Sequence, residues 1–159
     1  MSVKPIPEDM HTLTPHVICR DASAAMDFHA KAFGAVVMTK MPGPDGKLMH
    51  GMSSIGDSKI MYGEEMPAWN SLSPQSLKNS PVVLHLYVPD VDAAIAKAEA
   101  AGATVTMPAA DMFWGDRYGQ VVDPYGHRWS IATHTRDVSP EEMKKAMNEM
   151  APCPEGGPA

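Results

Sequence analysis

The chain has 159 residues, enough for one ordinary hydrophobic core or two small fused ones. Its net charge of -6, without any basic cluster, makes nucleic acid and anionic membranes poor partners. No apolar run approaches the roughly 18–20 residues that cross a bilayer. The N-terminus lacks a signal-peptide core, and Cys19 and Cys153 give no disulfide framework. We therefore expect a globular cytoplasmic protein with two free thiols.

The first part of the chain predicts one helix among four strands. Asp21 is placed to cap a helix over about 22–33, and Gly34 ends it, because glycine adopts a left-handed conformation at little cost. The strands of this part are predicted at about 14–20, 36–41, 48–55 and 59–62. Together these elements form a βαβββ module over residues 13–66, preceded by a flexible arm at residues 1–12.

The second part of the chain repeats the first at a constant offset. His16 corresponds to His85, and Asp21 to Asp90, each 69 residues later. A helix is predicted at about 91–101, and strands at about 82–88, 104–107, 118–122 and 127–133. The second βαβββ module therefore spans residues 81–135, and the chain consists of two copies of one unit.

Three segments lie outside the repeat. Residues 67–80 are rich in Pro, Ser and Asn and predict a linker loop or a flap, in which Trp69 and Leu72 either anchor the segment or form a lid over a pocket. Residues 136–150 predict a helix that starts with a capping box at Ser139 and covers a sheet edge or a partner. The tail at residues 151–159 is predicted to be disordered.

The predicted fold class is α+β, with two tandem modules whose strands curl into a cup-shaped mixed sheet with helices outside. A cup of this kind offers one concave ligand site where the modules meet. The paired histidines, His16 and His85, lie at matching points of matching strands, so we expect both to line the cup.

The tandem modules resemble the glyoxalase/bleomycin-resistance/extradiol dioxygenase family, the vicinal oxygen chelate superfamily. The segments Leu84–Ala93 and Tyr118–His134 are similar to its PhnB-like branch. The resemblance implies a glyoxalase-like protein that binds a small oxygenated molecule, with lyase, isomerase or dioxygenase activity. It also implies a homodimer.

Metal-using members of this family hold a divalent ion with one residue from the first and one from the last strand of each module. The resemblance assigns the first-strand positions to His16 and His85. The last-strand positions, where the family usually has glutamate, are occupied by Met61 and Ser130. Two imidazoles alone form an incomplete shell, since a catalytic zinc-type site normally has three protein ligands. The departure leaves open a second function, a metal-free binding protein of the bleomycin-resistance type.

Other pocket candidates follow from strand alternation. His50 is expected either on the concave face or at the surface, and Trp114 either in the pocket or in a hydrophobic plug. Arg128 faces the pocket if Ser130 does, because residues two apart share a face. Glu64 and Glu65 either replace a lost carboxylate at the pocket mouth or are solvated loop acids.

Overall fold

The computed structural model describes residues 3–149 of the chain. Within this range, the first module consists of β1 (His16–Cys19), α1 (Ala22–Phe33), β2 (Val36–Pro42), β3 (Leu48–Ile55) and β4 (Ser58–Glu64). The second module consists of β5 (Val83–Tyr87), α3 (Val91–Ala101), β6 (Thr104–Asp111), β7 (Asp116–Val122) and β8 (Arg128–His134). A 3-10 turn (Pro67–Trp69) and α2 (Pro74–Leu77) lie between the modules, and α4 (Pro140–Glu149) follows them. The predicted α+β fold of two βαβββ modules with a C-terminal helix is confirmed.

Each module forms its own four-stranded sheet. The strand orders are β1-β4-β3-β2 and β5-β8-β7-β6. In both sheets the first strand pairs with the last in parallel, and the remaining pairs are antiparallel. We predicted one sheet shared by both modules; in the described part of the chain, the modules instead join through α1 and α3, which pack against each other. The helices bury their apolar faces in one core that continues through both modules.

A glycine on the third strand of each module brings the helix close to the sheet. Gly51 lies under the Met26 side chain of α1, and Gly119 lies under Ile95 of α3. A Cβ atom on Gly119 would lie 2.5 Å from Ile95 Cδ1 and 2.9 Å from the carbonyl oxygen of Met107. A contact this short with the backbone is not tolerated in a packed core, so Gly119 requires glycine, whereas a Cβ on Gly51 would meet only side chains, which can move.

A buried polar network joins the two modules at the centre of the core. His29 of α1 is fully buried, and its Nδ1 lies 2.9 Å from the Tyr62 hydroxyl. Its Nε2 lies 2.9 Å from Oδ2 of Asp123, in the turn between β7 and β8. The Asp123 carboxylate also accepts hydrogen bonds from Trp129 Nε1 and from the backbone N–H groups of Tyr125 and His127. His29 therefore has a structural role in joining the two modules.

The segment between the modules differs from the predicted loop. It contains the 3-10 turn and α2, because Ser73 caps α2 by accepting from Ser76 N. Trp69 is 81% exposed, so the prediction that it anchors this segment is wrong. Cys19 is a buried free thiol, as predicted, whereas Cys153 lies outside the described residues.

The C-terminal helix begins where the sequence predicted. Ser139 and Glu142 form the capping box, with hydrogen bonds of 2.9 and 3.2 Å that each satisfy a backbone N–H. None of the described residues of α4 is buried, so within this chain it does not cover a sheet edge as expected. Among residues 3–149, no helix is long and apolar enough to cross a membrane.

Candidate functional site

Each sheet has one face turned away from its helix, which we call the open face. On β4, Tyr62 points to α1 and bonds His29, so Met61 and Gly63 lie on the open face. On β8, Trp129 packs on Phe33 of α1 with ring centroids 4.4 Å apart, which places Ser130 on the open face. The predicted pocket residues of both last strands therefore do share the faces that carry His16 and His85.

A row of side chains crosses the open face of the first sheet. Register pairs Thr39 with Met52, Met52 with Met61, and Met61 with His16. The structure thus places the predicted residues His16 and Met61 side by side. Met61 offers a thioether where the resemblance expects a carboxylate.

His50 lies on the same face as His16, which was one of the two positions that the sequence left open for it. The ring centroids of the two histidines are 6.1 Å apart, in an edge-to-face arrangement. The His16 ring extends over Gly63, and its Nε2 lies 3.0 Å from the position that a Gly63 Cβ would take. Burial lowers the pKa of His16, and the neighbouring His50 lowers it further.

The equivalent row of the second sheet is polar. Register pairs His85 with Ser130, and Ser130 with Gln120. His85 Nδ1 lies 2.7 Å from Ser130 Oγ, so these two predicted residues form a direct hydrogen bond. Gln120 Nε2 donates to the Tyr118 hydroxyl at 2.9 Å. Tyr118 stacks near the His85 ring, with centroids 6.1 Å apart and planes inclined by 19°.

Asp116 organises the rest of this face and was not singled out by the sequence as a site residue. Its side chain accepts from Tyr87 OH at 3.0 Å and from Trp114 Nε1 at 3.1 Å, and it bonds His134 Nδ1 at 2.8 Å. Burial would raise the pKa of Asp116, but these three hydrogen bonds outweigh it and lower the pKa below its usual value. The carboxylate therefore stays charged, and it fixes Trp114 and Tyr87 beside His85.

The predicted Trp114 lies on this face, between Asp116 and the ring of Tyr118, which is 5.6 Å away. The guanidinium of Arg117 bonds Asp92 and Asp111 at 2.6 to 3.2 Å, so it does not pair with its neighbour Asp116.

Arg128 lies apart from the polar row. It is exposed at the start of β8 and lines a shallow groove with residues of α2 and its following loop. The structure therefore places it at one end of β8, whereas Ser130 lies beneath His85.

Two acids at the end of β4, Glu64 and Glu65, accept hydrogen bonds from backbone N–H groups. Glu64 Oε1 accepts from Ala22 N, at the first turn of α1. Glu65 Oε2 accepts from Ser73 N, Ser73 Oγ and Ser76 Oγ, which lowers the pKa of Glu65 to about 2. Glu65 is a charged hydrogen-bond acceptor that fixes the start of α2, and it also lines the cavity that His16 borders.

Two cavities border the open faces. One of about 320 Å³ lies between the modules and is lined by His85 together with the arm and the β3–β4 turn. The other, of about 700 Å³, is lined by His16, the β2–β3 loop and the residues after β4. His16 and His85 thus border different cavities, and one chain does not bring them to a shared point.

A divalent ion of the kind implied by the resemblance does not fit this donor set. His16 has Met61 beside it, and the Nδ1 of His85 is occupied by Ser130. The described residues contain no group of three or more His, Cys, Asp or Glu side chains placed to hold a metal ion. We derive no chemical step through such an ion.

The sequence resembles a class of proteins with two βαβββ modules. The chain has this architecture, its first and last strands are parallel in each module, and each first strand carries a histidine. The chain belongs to the Glyoxalase/Bleomycin resistance protein/Dioxygenase superfamily, whose sequence model matches residues 10–131.

Comparisons with individual proteins agree with this membership. An uncharacterized protein of Mycobacterium bovis is 45% identical over 139 residues, which cover 86% of this chain and 91% of that protein. The crystal structure of TioX from Micromonospora sp. ML1 covers 78% of this chain and 98% of its own, with a TM-score of 0.62 and 24% identity. A glyoxalase/bleomycin resistance protein/dioxygenase from Nocardioides covers 88% and 90%, with a TM-score of 0.62 and 16% identity. The two solved structures support the fold alone.

Proposed function

We propose that the chain binds a small oxygenated molecule on the open face of the second sheet. The observation that carries this proposal is the continuous polar and aromatic row formed by His85, Ser130, Gln120 and Tyr118. Hydroxyl, amide and imidazole groups converge there beside the aromatic rings of Tyr87 and Trp114. Aromatic walls with a few fixed polar groups are the usual composition of a small-molecule site.

The form of this function that we favour is sequestration of the ligand without a metal, as in the bleomycin-resistance branch. Its support is the donor chemistry of Met61 and Ser130. A thioether and a hydroxyl replace the two acids that would complete the ion's shell and act as general base.

Turnover of the lyase, isomerase or dioxygenase type is the second candidate, and the pair Asp116–His134 is the observation that favours it. Hydrogen bonding to Asp116, and then to Asp137, raises the pKa of His134. A charged carboxylate bonded to a histidine can exchange protons with a bound substrate. Loss of substrate or appearance of product during incubation with the screened compounds tests it.

The binding proposal is tested by a thermal-shift screen of small hydroxy, keto and phenolic compounds, followed by calorimetric titration. Tyr118→Phe removes one hydroxyl and is expected to weaken binding about three- to tenfold, the value of one hydrogen bond. Tyr125→Phe, in the β7–β8 turn, is the matched control and should bind as the natural protein does. Compounds that bind both variants equally would place the ligand elsewhere.

We also infer a homodimer that associates through β2, the edge strand of the first sheet. Its support is the exposed apolar edge strand β2, where Val36, Val37, Met38 and Met41 are 40–64% exposed. Unpaired edge strands with apolar side chains tend to associate. Light scattering after gel filtration should give twice the chain mass, and Val36→Lys should shift it towards the monomer. A natural protein of monomer mass contradicts the inference.

We further infer that the protein resides in the cytoplasm. The support is that Cys19 is a buried free thiol, the kind of cysteine that is typical of a reducing compartment. Cell fractionation with antibody detection tests it, and recovery in an extracellular fraction would oppose it.

A further inference from the structure

We propose that the open face of the first sheet holds a soft monovalent metal ion, Cu(I), between His16, His50, Met52 and Met61. These side chains provide two imidazoles and two thioethers from three neighbouring strands. The inference goes beyond the proposed ligand site, which lies on the other sheet, and it does not depend on that proposal.

The two imidazoles are close enough to reach one ion if one of the edge-to-face rings turns. Imidazole nitrogens coordinate metals at about 2.0 Å, so two rings that share an ion have centroids at most about 6 Å apart once the ring radius is added. The observed separation between His16 and His50 is 6.1 Å. Gly63 makes this approach possible, because His16 Nε2 occupies space 3.0 Å from where a Cβ would be.

The two methionines occupy strand positions next to these histidines. Met61 is the register partner of His16 on β4, and Met52 is the register partner of Met61 on β3. Both methionines are half-buried, as is His50, while His16 is exposed, so the cluster is both ordered and accessible to an ion.

The chemical types of the donor atoms favour one class of metal ion over another. Thioether sulfur is a soft ligand that favours Cu(I), whereas magnesium, calcium and manganese take carboxylate and carbonyl oxygen. The nearest acid along β4, Glu64, is bonded to the backbone N–H of Ala22. A site with two thioethers and no carboxylate in its donor set therefore favours Cu(I) over the divalent ions of harder sites.

The second sheet can be compared with the first, because the internal repeat gives it equivalent positions. In the second sheet the register positions of Met52, Met61 and His50 are taken by Gln120, Ser130 and Tyr118. These residues offer oxygen and amide groups, which suit the proposed organic ligand and do not suit Cu(I). The soft donors are thus concentrated on one of two otherwise equivalent faces.

The test is competition for Cu(I) against a chromophoric chelator, without oxygen and with a reductant. The full chain carries Cys153→Ser, because a thiolate would also bind Cu(I). We expect one ion per chain. Met61→Leu and Met52→Leu should each weaken binding by about tenfold or more, since the loss of outer partners alone costs about 10- to 100-fold. Met107→Leu, beside Gln120 on the second sheet, is the matched control and should leave binding unchanged.

A second measurement tests the same site without a substitution of Met52 or Met61, so a folding defect cannot produce its result. Titration with Ag(I), a soft ion that needs no reductant, should shift the methyl NMR signals of Met52 and Met61 and leave that of Met107 in place. Equal affinities of the Met61→Leu and Met107→Leu proteins, or Zn(II) binding as tight as Cu(I) binding, would overturn the proposal. Unshifted Met52 and Met61 signals at saturating Ag(I) would do the same.

Discussion

His85 Nδ1 lies 2.7 Å from the Ser130 hydroxyl, across the parallel pair of β5 and β8. The same relationship links His16 and Met61 across β1 and β4. The repeat therefore preserves the geometry of a histidine beside a last-strand residue in both modules, while the chemistry of that second residue differs. A hydroxyl and a thioether replace the carboxylates that the family resemblance leads one to expect.

The double substitution Met61→Glu with Ser130→Glu should create affinity for a divalent ion. On the first sheet the new carboxylate would join the imidazoles of His16 and His50, which gives the three protein ligands that a zinc-type site normally has. An ion at 100 times its dissociation constant stabilises the folded state by about 2.7 kcal/mol. We expect nickel or zinc to raise the melting temperature of the double variant and not that of the natural protein. An isosteric Met61→Gln with Ser130→Gln pair controls for the added bulk, and an equal shift in it would refute a carboxylate effect.

The fold could be predicted from the sequence because it depends on local signals that occur twice. Asp21 and Asp90 cap their helices by accepting from Ala24 N and Ala93 N, as the motif indicated. Because the second module repeats the first, the helix and strands of one module predicted those of the other. The way the modules join could not be predicted, because it rests on contacts such as His29 with Asp123, which are 94 residues apart and have no local pattern.

The two close-packed glycines should differ in their sensitivity to alanine. A Cβ on Gly51 would meet only the side chains of Met26 and Leu48, which can move. A Cβ on Gly119 would also meet backbone atoms of Met107 and Ala109. Overpacking typically costs about 1–3 kcal/mol, so we expect Gly119→Ala near the upper end and Gly51→Ala near the lower. Urea unfolding of both variants measures the order, and the reverse order would contradict it.

His134 should titrate above its ordinary range. Its pKa is raised by the hydrogen bond to Asp116 and then by Asp137, so the folded state binds the proton more tightly than the unfolded state. The resulting stabilisation is complete below about pH 6.5, the unfolded value, and is lost as the pH rises through the folded pKa. NMR titration of the histidine ring protons should show a lower pKa for His134 in Asp116→Asn. An unchanged pKa would mean that Asp116 does not hold the proton.

The candidate site was only partly visible in the sequence. Strand position and alternation indicated which side chains share a face with His16 and with Ser130, because a strand fixes that pattern, but they left two alternatives for His50. Asp116 was missed because its role depends on Tyr87 and His134, which come from two other strands. The only local signal for it was an acid two residues from a tryptophan and two from a tyrosine, in Trp114-Gly115-Asp116-Arg117-Tyr118.

Asp123 should account for part of the acid sensitivity of the fold. Burial would raise the pKa of its carboxyl, but the hydrogen bonds of His127 and His29 hold it well below the usual value. The unfolded chain therefore binds this proton first as the pH falls. The stabilisation is present above about pH 4, near the unfolded value, and is lost as the pH falls towards the folded pKa.

Asp123→Asn tests this directly. Removing the charge leaves donors on His29 and Trp129 poorly matched, so we expect a loss of about 3 kcal/mol or more at neutral pH. The free energy of unfolding of this variant should also fall less steeply than that of the natural protein between about pH 5 and 2. Asp57→Asn, at an exposed turn, is the control and should keep the natural slope. Parallel slopes for the Asp123→Asn and natural proteins would assign the acid sensitivity to other carboxyls, since the network would then contribute no proton linkage.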